Sequence, residues 1–272
     1  MRTLPARSIL ALTMISALTI STPASAQLRG LLGELRSTVE KQIERREQQP
    51  QAATPQETQG GANRRLRINE GFTFVPGTNT LIEDDFADTA VGAMPTGWKT
   101  NGSGAVVAVE GMEGRWLSLQ NFATYKLAQP PELPANFTLE FDLVYAADSV
   151  RDVSDIPFGF TSDNTVRSYV QDAHNNAGIA VVSLGPDASS SVASSATDHY
   201  HAFDFDYTPY ANRIMHVSIA VEGDSMKVYL DRTKIADSQL FRSNPAKYFF
   251  ISAPIYMENG ANVLFGNFRV AS

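Results

Sequence analysis

The sequence predicts an all-β domain behind an export leader and a short helical arm, and three observations predict it. From Arg67 onward, short alternating runs are separated by Gly, Pro, Asn and Asp at intervals of about eight to twelve residues, the pattern of a sandwich or barrel of antiparallel strands. No second helical pattern of useful length follows the first 49 residues, which excludes βαβ architectures. The dinucleotide and P-loop sites built on them are excluded too, since no glycine fingerprint is present. The first 26 residues carry the three-part pattern of a secretory leader. With 272 residues, 43% apolar and 19% charged, the chain can close a sizeable core, and with no cysteine it must do so by packing alone.

In residues 1–26, Arg2 and Arg7 form the positive start, 8–20 the apolar stretch, and Ala24-Ser25-Ala26 the small-residue cleavage pattern, so the mature chain is expected to begin at Gln27. A spanning helix needs about 20 apolar residues, and this shorter run contains Thr13, Ser16 and Thr19. The expectation is an exported protein, periplasmic, outer-membrane-associated or extracellular, with no transmembrane segment in its mature part.

Residues 27–49 read as one amphipathic helix, because Leu28, Leu31, Leu32, Leu35, Val39 and Ile43 recur at three- and four-residue steps among Arg, Glu, Lys and Gln. Alone in water such a helix is marginal. Its stripe has several possible partners: a second copy in a short coiled coil, which would be self-association, or the β domain, or a membrane surface. Equally, the helix can be a spacer arm. Residues 50–66, with Pro50, Pro55 and Gly60-Gly61-Ala62-Asn63, have the composition of a flexible linker.

Residues 67–272 form the β domain. The clearest strand is 137–145, where every odd position is apolar; others are expected at 105–109, 115–119, 125–127, 157–161, 178–184, 202–207, 248–252 and 262–270. One hairpin can be registered outright. Met215, Val217, Ile219 and Val221 alternate with polar or small residues, Glu222-Gly223-Asp224-Ser225 turns, and Met226, Val228 and Leu230 alternate again. Val221 then faces Met226, Ile219 faces Val228, Val217 faces Leu230, and His216 faces Asp231 on the outward side. A slip of one residue would mix apolar with polar on both faces. Tyr229 is thereby expected outside, whereas Trp98 and Trp116 are expected at least half buried. The Ser- and Ala-rich stretch 185–197 reads as a mobile loop at the rim.

Charge divides unevenly: residues 27–66 carry seven Lys/Arg against five Asp/Glu, and 67–272 carry 13 against 24. An acidic body repels phosphate, so no nucleic-acid partner is expected; divalent cations, basic partners or neutral ligands suit it better.

Leu81-Ile82-Glu83-Asp84-Asp85-Phe86, Pro95-Thr96-Gly97-Trp98, Gly111-Met112-Glu113-Gly114-Arg115-Trp116-Leu117 and Asn136 to Asp142 together resemble the N-terminal β region of bacterial OmpA-type envelope proteins. The stretch 215–231 resembles the hairpin before the end of concanavalin A-like (laminin-G and glucanase) jelly rolls. This resemblance spans roughly residues 72–270 and implies a two-sheet antiparallel jelly-roll sandwich with one concave face. The sequence reaches Ser272 with no OmpA-type peptidoglycan-binding domain following, so anchoring by that route is not expected.

The glucanase branch carries a Glu-x-Asp-x-x-Glu strand, and here Glu140 and Asp142 match its first two carboxylates while Tyr145 stands where the last would be. A retaining glycosidase needs two carboxyl groups about 5–5.5 Å apart with opposed protonation. Glu140 and Asp142 are expected instead as solvated carboxylates on a polar strand face. The run from Asp198 to Tyr207 puts His199, His201, Phe203, Phe205 and Tyr207 on one strand face and Asp204 and Asp206 on the other; without a third ligand it reads as a strand with a polar end. No Ser-His-Asp ordering with a Gly-x-Ser-x-Gly elbow is present, and no catalytic residue is named. Asp84 and Asp85 are the candidates for a structural calcium, because jelly rolls of the resembled kind hold one near the first and last strands, the last here offering Asn267.

Sugar binding needs exposed aromatic faces and planar hydrogen-bonding groups. Tyr200, Tyr207, Tyr210, Tyr229, Trp98 and His216 supply the first, and Asn121, Asn212 and Asp231 the second. The leading expectation is a non-catalytic envelope protein that recognises a glycan or another envelope component on the concave sheet face. The alternatives are a polysaccharide-cleaving hydrolase or lyase in the same groove, and an assembly protein acting through its N-terminal helix.

Overall fold

The structure, a computed structural model, describes residues 71–166, 178–187 and 189–272. The leader, helical arm and linker expected over 1–66 lie outside the described residues. The strands are β1 (Thr80–Asp84), β2 (Trp98–Thr100), β3 (Gly104–Val107), β4 (Trp116–Leu119), β5 (Thr124–Leu127), β6 (Asn136–Ala146), β7 (Ile156–Thr161), β8 (Gly178–Leu184), β9 (Ser190–Ser194), β10 (His199–Phe203), β11 (Ile214–Glu222), β12 (Ser225–Leu230), β13 (Thr233–Gln239), β14 (Tyr248–Ser252) and β15 (Asn262–Ala271). They form two antiparallel sheets. One runs β13-β12-β11-β6-β15-β4-β3, with β1 added along β15; the other runs β10-β9-β8-β7-β14-β5-β2. The fold is an all-β sandwich, as the alternation requires.

Inward side chains of both sheets share one core. Phe137, Leu139, Phe141, Leu143 and Tyr145 of β6 are all buried and meet the second sheet through aromatic pairs, Phe141 on Phe158 at 5.2 Å and Phe137 on Phe160 at 5.6 Å. Each such side chain taken from water stabilises the fold by about 1.5–3 kcal/mol. Trp98 and Trp116 are both buried, Trp98 in this core and Trp116 in a small cluster with Val144 and Leu264. The 215–231 hairpin has the expected register, Val221 with Met226, Ile219 with Val228 and Val217 with Leu230, closed through Gly223 at φ 60°.

Three local expectations are corrected. The stretch 185–197 contains β9, paired with both β8 and β10, rather than a rim loop. Its serines are inside because they are satisfied there: Ser190 Oγ bonds the Tyr207 hydroxyl at 2.7 Å, and Ser194 Oγ donates to the Leu240 carbonyl at 2.6 Å. The strand expected over 202–207 is instead β10, ending at Phe203. Asp206 accepts the Thr208 N–H, and Pro209 opens a 3-10 turn at Thr208–Tyr210, so Phe205 and Tyr207 lie beyond the ladder. Tyr229, registered on the outward face, is nevertheless 0% exposed.

Residues 71–79 cover it. This irregular strap lies on the outer face of the eight-stranded sheet, with Phe72 and Phe74 edge-on to Tyr229 at 5.3 and 6.0 Å and Thr73 Oγ1 bonded to the Tyr229 hydroxyl at 2.9 Å. The Arg232 guanidinium stands 4.9 Å over the Phe72 ring, and the Gly77 N–H donates to Thr138 Oγ1 at 2.8 Å.

Candidate functional site

Adjacent to the strap, the outer face of β6, β11 and β15 carries a row of charged and amide side chains. Alternation places Glu140 and Asp142 on this face of β6, and the β6–β11 register sets His216 directly opposite Asp142. On the other flank β15 bulges between Gly266 and Arg269, with Asn267 at φ 50° in the left-handed region. The bulge re-aims a side chain: Asn267 Nδ2 donates to Asp142 Oδ2 at 2.7 Å. Past it the ladder resumes, Arg269 pairing with Glu140.

The histidine sits between the two carboxylates. Nδ1 contacts Asp142 Oδ1 at 2.6 Å and Nε2 contacts Glu140 Oε1 at 3.4 Å. The hydrogen bond to Asp142, then that to Glu140, outweigh burial and raise its pKa from 6.5 to about 9. At neutral pH the ring is therefore a cation donating from both nitrogens. Arg269 Nη1 reaches the other Glu140 oxygen at 3.4 Å, while its Nη2 donates to the Gly77 carbonyl at 2.9 Å and Thr80 Oγ1 at 3.1 Å, tying this row to the strap.

A second layer holds His216 from behind. Asp231 follows the last residue of β12 at φ 48°, donates its N–H to the His216 carbonyl at 2.7 Å and accepts the His216 N–H on Oδ1 at 3.0 Å. Its Oδ2 accepts the Tyr210 hydroxyl at 2.6 Å. Burial, followed by this bond to Asp231, raises the Tyr210 pKa to about 12, so the phenol stays a donor. The Tyr210 ring stacks on Phe205 with centroids 5.7 Å apart.

Three of the aromatic and polar residues expected at the site, His216, Asp231 and Tyr210, are thus brought together. The others are not. Tyr229 is sealed under the strap, Tyr207 is buried against Tyr145, and Tyr200 is 70% exposed on β10 of the other sheet. Trp98 is buried, and Asn212 donates to the Ala147 carbonyl. Glu140 and Asp142 are not the freely solvated pair the strand pattern implies: Asp142 is 8% exposed and both of its oxygens are engaged. Sequence reasoning missed Arg269 and the role of Asn267; a polar pair interrupting the apolar run of β15 was the available signal.

Asp84 and Asp85 stand at the mouth of a recess of about 470 Å³ with Glu83, Asp88, Asn267 and Arg269. Their oxygens serve the chain itself. Asp84 Oδ1 accepts the Phe86 N–H, Asp84 Oδ2 accepts the Trp98 indole N–H at 2.9 Å, and Asp85 Oδ1 accepts the Ala87 N–H. Both oxygens of Asp84 and one of Asp85 are thus engaged by N–H donors of the chain itself. Among the described residues no group of three or more His, Asp or Glu side chains is arranged to hold a metal ion.

Chemically, the row offers oriented donors and acceptors rather than reactive groups. Hydrolysis of a glycoside requires one carboxylate free to attack or to activate water and another protonated to donate. Here each oxygen of Glu140 and Asp142 faces a cationic or amide donor, and an imidazole that titrates near 9 is no base at neutrality.

No protein-family model and no curated protein matches the chain. Among solved structures it is similar to a sialidase, at 15% identity and TM-score 0.47 over 72% of this chain. A carbohydrate binding module from Bacillus subtilis is similar at 16% and 0.43, over 65% of this chain and 96% of that one. Arcelin-5, a lectin-like defense protein from Phaseolus vulgaris, is similar at 10% and 0.49, over 70% and 96%. The chain spans 19% of the sialidase's length. Among the described residues no helix is long and apolar enough to cross a membrane.

Proposed function

We propose that the chain is a non-catalytic recognition module that binds a hydroxyl-rich ligand, a glycan of the cell envelope, on the outer face of the eight-stranded sheet around His216. The observation that carries this reading is the fixed His216 imidazolium between Glu140 and Asp142, with Asn267 and Arg269 holding the remaining carboxylate oxygens. Each carboxylate oxygen keeps a lone pair, and acceptors locked in one orientation before binding lose little entropy when a sugar hydroxyl donates to them; Tyr210 with Phe205 adds an aromatic border. The same engagement of both carboxylates disfavours a hydrolase or lyase at this row. Export to the periplasm or cell surface belongs to the proposal and rests on the leader pattern of residues 1–26.

The test is a glycan array probed with the full chain, run beside a reducing-end release assay on every glycan retained. Retention without release, weakened by His216→Ala, is the expected result. Failure to retain any glycan, or release of reducing ends, overturns the proposal.

A further inference from the structure

A second recess lies between the strap and the sheet, about 300 Å³ in volume, at the small end of ligand sites. Phe74 and Val75 of the strap and Thr138 and Ala220 of the sheet line it, together with Glu222 and Lys227. Val75 is 77% exposed, an apolar side chain left in water in this lining. The ion pair is loose: Lys227 Nζ lies 3.3 Å from both Glu222 oxygens, and the Glu222 side chain is largely in solvent.

We infer that this recess is a subsite for a neutral N-acylated amino sugar, its wall of Phe74, Val75 and Ala220 taking the acyl methyl and the Glu222–Lys227 pair reading the amide. The inference rests on the glycan reading and names the ligand class. An amide offers one N–H donor and one carbonyl acceptor in fixed geometry; a carboxylate beside an ammonium supplies the complementary acceptor and donor. The pair is neutral overall, so the recess has no net charge with which to hold a free amine or a uronate. An unsubstituted hexose has only ring C–H patches, which suit a flat face, and no methyl to fill the recess. The subsite neighbours the polar row, because Thr138 lines the recess and stands two residues from Glu140 on the same face of β6. Thr138 to Asp142 is roughly 13 Å along the strand, the reach of a short oligosaccharide.

The experiment titrates the full chain calorimetrically with three tetrasaccharides of one linkage: the N-acetylglucosamine form, its de-N-acetylated form and the plain glucose form. Amide shifts of Ala220, Lys227 and His216 are recorded in parallel. The expected result is binding of the acetylated form at least about tenfold tighter than the other two, equivalent to about 1.4 kcal/mol, with shifts at Ala220 and Lys227. Ala220→Trp, which fills the recess, and Phe74→Ala, which removes its wall on the exposed strap, should each abolish the preference. Equal affinities, no binding of the acetylated form, or a preference that survives in whichever variant keeps its melting temperature overturns the inference. If the array still retains other glycans in a His216-dependent way, the recognition reading stands and this subsite alone falls; an array with no retained glycan removes both.

Discussion

Asp142 Oδ1 and His216 Nδ1 lie 2.6 Å apart across the β6–β11 pairing, and Asn267 holds the second oxygen of the same carboxylate. One aspartate thus fixes both the charge state of a half-exposed histidine and the direction of a bulged strand, and the first two tests pass through it.

The His216 ring should titrate near pH 9 by NMR instead of at its ordinary 6.5, since the Asp142 and Glu140 bonds stabilise the cation. The pKa is raised on folding, so its contribution to stability is fully present below about 6.5 and is lost as pH rises through about 9. Melting temperature should accordingly fall across that window for the natural chain and stay flatter for His216→Gln. Equal slopes for the two would contradict the clamp.

Asp142→Ala should cost about 2 kcal/mol, because it leaves the His216 and Asn267 donors without their acceptor in a largely buried place. At about 2–4 °C per kcal/mol for a domain of this size, the melting temperature should drop by about 4–8 °C. Asp142→Asn retains one acceptor oxygen and should cost less, while moving the His216 titration down toward 6.5.

Gly159 of β7 has φ 153°, and a Cβ there would lie 2.0 Å from the Ala180 carbonyl oxygen of β8. Backbone cannot give way as a flexible side chain does, so Gly159→Ala should cost about 3 kcal/mol or more and open the β7–β8 ladder. Hydrogen exchange of the β8 amides measures it; unchanged protection would refute the close approach.

Calcium and EDTA should leave the melting temperature the same, because the Asp84 oxygens already accept the Phe86 and Trp98 N–H groups. Asp84→Ala, by contrast, should destabilise by about 1–3 kcal/mol by orphaning a buried indole donor. A calcium-dependent rise in melting temperature would show that the cation displaces those bonds.

Replacing Phe72 and Phe74 together by Ala should uncover Tyr229 with a loss of about 3–5 kcal/mol, two aromatic pairs together with the burial of two half-buried rings. Nitration of Tyr229, followed by mass spectrometry, should accelerate while the sandwich stays folded. An unreactive Tyr229 would mean that other groups cover it.

The sequence carried the hairpin of β11 and β12 in full, down to Ile219 opposite Val228, because a period of two allows only one register that keeps every apolar residue on one side. It carried the faces of β6 for the same reason. It did not carry β9, whose inward Ser190 and Ser194 read as loop residues; their hydroxyls are satisfied by Tyr207 and Leu240, and a serine with partners can be buried like an apolar residue.

What the sequence determined alone is which side of each strand is apolar, since that is a local property of alternation. What only the tertiary structure decided is which strands stand beside one another and what lies over them. His216 meets Asp142 across 74 residues of chain, and Thr73 reaches Tyr229 across 156. A parity rule assigns a residue to a face, but whether that face meets water depends on chain far removed in sequence.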